Sequence, residues 1–276
     1  MKLFLIIFSS LVVFLLLLFS VFLFLIKPGK RRMQMREYQG LKYAHRGLHN
    51  EERAENSLSA FRAAADAGFA IELDVRLSSD GELVVFHDDT LDRMTCESGR
   101  VDSKTADELS KIRLGGTNDT IPTFREVLEL IDGRVPLLIE LKEDAGKYGV
   151  TEKTVEILRD YKGRYIIESF NPLALSRVKK LMPEALRGFL SQNFLRDKKY
   201  RAFTYFLLQN LILNVICRPD FIAFNHADYK MKAFRLAKRI FGVPTLAWTV
   251  KSEDEESSAC AHGFSGVIFE GYIPTK

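Results

Sequence analysis

The chain opens on an apolar run. From Leu3 to Ile26 nothing is charged, and apart from Ser9, Ser10 and Ser20 every position is apolar. As a helix rising about 1.5 Å per residue, that run is roughly 36 Å long, enough to cross a hydrocarbon core of about 30 Å with some tilt. A cleaved signal peptide would show an apolar region of roughly 7 to 15 residues and then a small-residue cleavage site. Here the run is longer and ends in Lys27-Pro28-Gly29-Lys30-Arg31-Arg32. The pattern therefore predicts a retained transmembrane anchor over 1–27 and a basic linker over 28–40.

From residue 41 onward the pattern changes. Short β-branched and apolar runs alternate with segments of helical period, the order that builds a parallel sheet. The predicted strands are Tyr43–His45, Ala70–Val75, Leu137–Lys142, Tyr165–Phe170, Arg187–Leu190, Phe221–Phe224, Thr245–Val250 and Gly266–Phe269. Between them, helices are expected at Ser57–Ala67, Thr123–Ile131, Thr151–Tyr161, Leu173–Met182, Tyr200–Ile216, Met231–Phe241 and Glu253–His262. Asn56 or Ser57, Pro122-Thr123 and Asn171-Pro172 provide start signals for three of these. Eight strands with seven intervening helices is the count of an α/β protein with a (β/α)8 TIM barrel, here over 41–276. A further run, Leu83–His87, follows the second strand too closely for a parallel crossover, which needs a dozen or more residues. It is expected as a hairpin return, opening a small insertion after strand 2, about 76–120.

Charge and cysteine content narrow the class. The net charge of +4 gathers beside the anchor, so it is no nucleic-acid signature. Lys27, Lys30, Arg31, Arg32 and Arg36 follow the apolar run, against Lys2 before it, and the basic flank stays cytoplasmic. That places a single-pass protein in the cell membrane with its main domain in the cytoplasm. Cys96, Cys217 and Cys260 are odd in number and far apart, so no disulfide framework is implied. The segment Phe203–Ile216 is the most apolar stretch after the anchor and too short to span a bilayer. It is expected to be a barrel helix partly buried by its neighbours, the other reading being a membrane-facing element near the substrate entrance. Oligomeric state is not legible.

Barrel sites form at the C-terminal strand ends. There the second strand places Glu72 and Asp74 on one face, since side chains alternate with period two, and the third does the same with Glu140 and Lys142. The first strand ends in His45-Arg46-Gly47 and the hairpin return in His87-Asp88. Carboxylates inside a barrel are costly unless paired or bound to metal, and hard oxygen ligands suit one divalent cation, Ca²⁺ or Mg²⁺. A structural ion network with Arg46, Lys142 and Arg76 would satisfy the charges but would not explain His45 and His87 at the same end. Imidazoles serve as general acid and base, and Arg46 and Lys142 are anion-binding groups. Together these residues describe phosphoryl chemistry.

The motifs AHRG (44–47), EN-S (55–57), ELDV (72–75), VVFHDDTLDRMT (84–95), IPTFREVLEL (121–130), LLIELK (137–142) and AWTV (247–250) resemble the glycerophosphodiester phosphodiesterase family, in the family's order from about Lys42 to the C-terminus. The resemblance implies metal ligation by Glu72, Asp74 and Glu140, acid/base catalysis by His45 and His87, and phosphate contacts from Arg46 and Lys142. It also implies a polar role for Glu55 beside the site and a cleft-lining role for Trp248, while Asp88 would orient His87 or support the turn. The reaction implied is hydrolysis of a glycerophosphodiester to sn-glycerol 3-phosphate and an alcohol. The alternatives are a lysophospholipase D acting on lysophospholipids and a membrane-tethered, non-catalytic binding protein. Three departures from the family pattern stand out: Lys251 after the WTV strand, Phe269-Glu270 at the last strand end, and the loosely fitting, apolar segment Leu186–Asn225.

Overall fold

The computed structural model describes every residue except Arg32, Ala145, Lys198, Lys199, Arg201 and Lys276. Arg32 of the basic flank and Arg201 of the predicted helix Tyr200–Ile216 therefore lie outside the described residues. A first helix, α1 (Lys2–Ile26), carries the opening apolar run and is solvent-exposed along nearly all its length. Among the described residues it is the one helix long and apolar enough to cross a bilayer.

Among the described residues the rest forms nine strands and nine further α-helices: β1 (Lys42–Ala44), α2 (Leu58–Asp66), β2 (Ala70–Leu77), β3 (Leu83–Val85), α3 (Ala106–Leu109), α4 (Phe124–Ile131), β4 (Leu137–Leu141), α5 (Gly149–Leu158), β5 (Tyr165–Ser169), α6 (Pro172–Leu181), β6 (Arg187–Ser191), α7 (Phe203–Gln209), α8 (Asn214–Cys217), β7 (Phe221–Asn225), α9 (Lys232–Phe241), β8 (Thr245–Val250), α10 (Glu253–Ala261) and β9 (Gly266–Phe269). Eight strands run parallel and close on themselves, since β1 pairs with both β2 and β9. The fold is the predicted TIM barrel. β3 lies outside the ring and pairs antiparallel with β2, the hairpin return that the spacing required.

Local signals account for the boundaries. Ser57 caps α2 by accepting from the Ala60 N–H, Thr123 and Glu126 form a capping box on α4, and Asn171 caps α6 with Pro172 in its first turn. The insertion after β3 has its own small core of Leu91, Val101, Leu109, Ile112 and Leu114, packed against Val84 and Phe86.

The expected helix Tyr200–Ile216 is not continuous. Two short helices replace it, with a break at Leu211, whose φ is 58°. The sequence there is apolar all round, so its periodicity marks no boundary. The turn buries Leu211 and Cys217 beside Ile26.

The residues leading into the barrel are packed against it. Met35 and Tyr38 join Tyr43, Leu138, Ile166 and Phe221 in the barrel interior, and Tyr38 donates to the carbonyl of Tyr165, the first residue of β5. They close the N-terminal end of the barrel, opposite the site. Arg31 donates to both carboxylate oxygens of buried Asp220 at 2.6 and 3.2 Å.

Candidate active site

β2 and β4 pair so that Asp74 stands opposite Glu140, and β4 and β5 pair so that Glu140 stands opposite Glu168. With Glu72 two residues before Asp74, this register gathers four buried carboxylates at one end of the barrel interior. Glu72, Asp74 and Glu140 each offer an oxygen within 4.8 Å of the others.

Two cations meet them. Lys142 Nζ lies 3.0 Å from Asp74 Oδ1 and 2.6 Å from Glu140 Oε1. Arg46 Nε lies 3.4 Å from Asp74 Oδ2, while its backbone N–H donates to Glu72 Oε2 at 2.9 Å. Asn56 donates to Asp74 Oδ2 at 2.8 Å. Both Arg46 and Asn56 hold left-handed backbone, φ 55° and 56°, and such conformations in non-glycine residues cluster at functional sites.

The charges do not balance. Burial, together with repulsion from Asp74 and Glu140, pushes Glu72 well above the usual carboxylate range. Burial raises Glu140 as well, against the pull of Lys142. Burial would raise Asp74 too, but Lys142 and Arg46 outweigh it and hold Asp74 low. Among the described residues, Asp74 Oδ1 makes no hydrogen bond besides its ion partner at 3.0 Å, and Glu168 Oε2 has no partner. Hard oxygen donors, orphaned acceptors and excess negative charge fit a divalent cation at Glu72, Asp74 and Glu140.

Both predicted histidines line a cavity of about 110 Å³ with these groups. His87 Nδ1 is held by Asp88 at 2.6 Å, and His45 Nδ1 by Glu270 at 2.8 Å. Burial lowers the His87 pKa, and Asp74 and Asp88 counter it in part. The hydrogen bond from His45 pulls Glu270 down to about 2. Trp248 lines the same cavity, edge to face with Phe170 at 5.5 Å, its indole N–H buried without a partner among the described residues.

All eight predicted site residues thus converge. Three further groups were missed as members of the site. Glu168 announces itself only as a charge inside an apolar strand. Glu270 reads in sequence as a departure from the family pattern, yet it grips His45. Arg93 bridges Glu55 at 2.6 Å and Asp88 at 2.5 Å, tying the insertion to both the Arg46–Glu55 pair and the His87 support. It lies within the matched run VVFHDDTLDRMT, but only folding brings it to those partners.

Residues 45–271 match the glycerophosphoryl diester phosphodiesterase family model. A glycerophosphodiester phosphodiesterase of Caldanaerobacter subterraneus is 33% identical over 82% of this chain and 91% of its own. Glycerophosphodiester phosphodiesterase 1 of Bos taurus is 28% identical over 93% of this chain and 86% of its own. Among solved structures, an Oleispira antarctica phosphodiesterase in complex with the product sn-glycerol-3-phosphate aligns with a TM-score of 0.71 and 26% identity, covering 84% of this chain and 94% of that one.

Proposed function

The chain belongs to the glycerophosphoryl diester phosphodiesterase family, and from that premise we propose that it hydrolyses glycerophosphodiesters to sn-glycerol 3-phosphate and an alcohol by metal-dependent, histidine acid/base chemistry. The observation that carries this reading is the pair of histidines, each with Nδ1 held by a carboxylate, facing one pocket with Glu72 and Glu140 of the acidic triad. That tethering leaves Nε2 of each ring for the substrate.

A cation held by Glu72, Asp74 and Glu140 would bind the phosphodiester and withdraw charge from it. Arg46 and Lys142 stabilise the phosphate oxygens as charge redistributes. His87, kept neutral by burial, takes the proton of the nucleophile, which is water or the neighbouring glycerol hydroxyl. His45, steadied by ionised Glu270, protonates the leaving alkoxide. Trp248 and Phe170 shape the wall past which the alcohol leaves.

The same residues serve a lysophospholipid, and a larger apolar cavity sharing Glu140 and Lys142 favours this second reading. Localisation belongs to the proposal too. Ile26 is fully buried, the Asn214 side chain donates to its carbonyl at 3.0 Å, and Arg218 donates to Phe24 O and Lys27 O. A cleaved leader would strip these contacts, which supports a retained anchor, and the basic flank supports a cytoplasmic barrel.

The test uses the full chain in lipid nanodiscs, with release of glycerol 3-phosphate measured from glycerophosphocholine and glycerophosphoethanolamine. Each is run with Ca²⁺, with Mg²⁺ and with chelator, beside Glu72→Ala. Metal-dependent turnover lost in the variant is expected. Turnover that survives chelation and the variant would defeat the metal mechanism, and folded, metal-loaded protein that turns over nothing would leave a binding protein.

A further inference from the structure

A cavity of about 670 Å³ adjoins the catalytic pocket. The two share Glu140, Lys142 and Phe170. Beyond those residues one side of the larger cavity carries Arg76, Asp89, Glu143 and Asp144, while the rest is mainly apolar, walled by Phe194, Tyr205, Leu208 and Leu213, and reaches Leu173 and Ile216, which are also exposed at the surface. Its volume lies within the roughly 300–1,000 Å³ typical of small-molecule sites. A water-soluble glycerophosphodiester has no apolar part that such walls would shelter.

The helix covering this cavity is apolar on both faces. Tyr205 and Leu208 of α7 look inward, while Phe203 and Phe206 stack at 6.0 Å on the outside, 73% and 43% exposed. A helix apolar all round is buried in protein or set in lipid, and none of the described residues covers Phe203. The next helix, α8, supplies Ile216 to the cavity rim and is also the element docked on the end of α1. Asn214 bonds Ile26 O, and the Arg218 guanidinium lies over the Phe24 ring at 4.7 Å. The rim therefore stands beside the point where α1 leaves the barrel.

We propose that this cavity binds the single hydrocarbon chain of a phosphate-bearing amphiphile drawn from the bilayer in which α1 is set. The phosphate of that molecule rests at Lys142 and Arg46, the chain runs between Phe170 and α7, and the outer face of α7 sits in the lipid surface. This inference rests on the phosphodiesterase reading for the placement of the phosphate. The chain site itself stands on the cavity.

The experiment reconstitutes the full chain in phosphatidylcholine vesicles containing lysophosphatidylcholine with a diazirine at its chain end, followed by photolysis and mass spectrometry of the labelled peptides. Labelling of Tyr205, Leu208 or Leu213 is expected, beside labelling of α1 by surrounding lipid. Thr204→Trp, an exposed position on the cavity wall where added bulk leaves the core intact, should lower cavity labelling at least tenfold while labelling of α1 persists. Labelling confined to α1, Phe203 and Phe206 in the wild type, or cavity labelling unmoved by Thr204→Trp, would overturn the chain site. Glycerophosphocholine turnover is measured on the same vesicles. Cavity labelling without turnover supports the chain site and counts against the reaction alone.

Discussion

Asp88 follows His87 in sequence and holds its ring from behind, so it joins Asp74 in setting how His87 responds to pH. Burial lowers the His87 pKa and the hydrogen bond to Asp88 raises it, so removing the carboxylate lowers it further. A neutral His87 base loses activity as pH falls through its pKa. In Asp88→Asn the acid limb of kcat/KM should therefore move to lower pH, and an upward shift in the pH profile would contradict the assignment. His87→Ala should cost on the order of 10²–10⁴ in kcat, the usual contribution of a positioned proton-transfer group.

Glu72 poses a different question, because without a cation its charge opposes folding. Glu72→Gln should leave the melting temperature in chelator unchanged or raised. In the wild type, saturating cation should add stability, about 2.7 kcal/mol at a hundredfold excess over Kd, and that gain should vanish in the variant. Differential scanning calorimetry with and without Ca²⁺ reads both outcomes, and an equal metal-induced rise in the variant would remove Glu72 from the ligand set.

At the scale of elements, the turn after β1 aims Arg46, and Gly47 makes that turn possible. Its φ is 84°, and a Cβ there would stand 2.8 Å from the backbone carbon of Ala60 in α2. Gly47→Ala should destabilise by about 1–3 kcal/mol from backbone strain alone. It should also weaken phosphate binding, because α2 and Arg46 cannot both keep their places. A variant with wild-type melting temperature and KM would show that the turn has slack. The β2–β3 hairpin is the other positioning element. Val75 pairs with Val85, and Arg76 donates to the His87 carbonyl at 2.7 and 2.9 Å, so His87 hangs from the strand that carries Glu72 and Asp74.

Across the whole molecule, the C-terminal end of α1 is part of the barrel's packing and not a loose extension. Burying an isoleucine side chain is worth about 1.5–3 kcal/mol, and Ile26 is fully buried among Leu175, Phe189 and Ile222. Arg31 adds its fork to Asp220, which otherwise keeps Arg187 at 3.4 Å. Arg31→Ala in the full chain should lower stability by about 1–3 kcal/mol, the cost of leaving a buried charged acceptor short of a partner. Deletion of residues 1–32 should lower the melting temperature further, compared in one detergent. A truncated barrel as stable as the full chain would mean the docked end of α1 contributes nothing to the fold.

Period-two alternation in short strands, helical period between them and capping residues at helix starts are local properties, so the amino-acid order alone determined the barrel count, the hairpin return and the common face of Glu72 and Asp74. The order of residues also placed His45 and His87 just beyond strand ends, where barrel chemistry resides. The register between strands is a long-range property, and only the tertiary structure set Asp74, Glu140 and Glu168 in one row. The same holds for Glu270 on His45 and for Arg93 between Glu55 and Asp88, pairs brought together by closure of the ring and folding of the insertion. The break at Leu211 lay hidden because a segment apolar on every side carries no period. What it packs against, the end of α1 on one side and a cavity beside the pocket of His45 and His87 on the other, is decided by contacts between residues far apart in the chain.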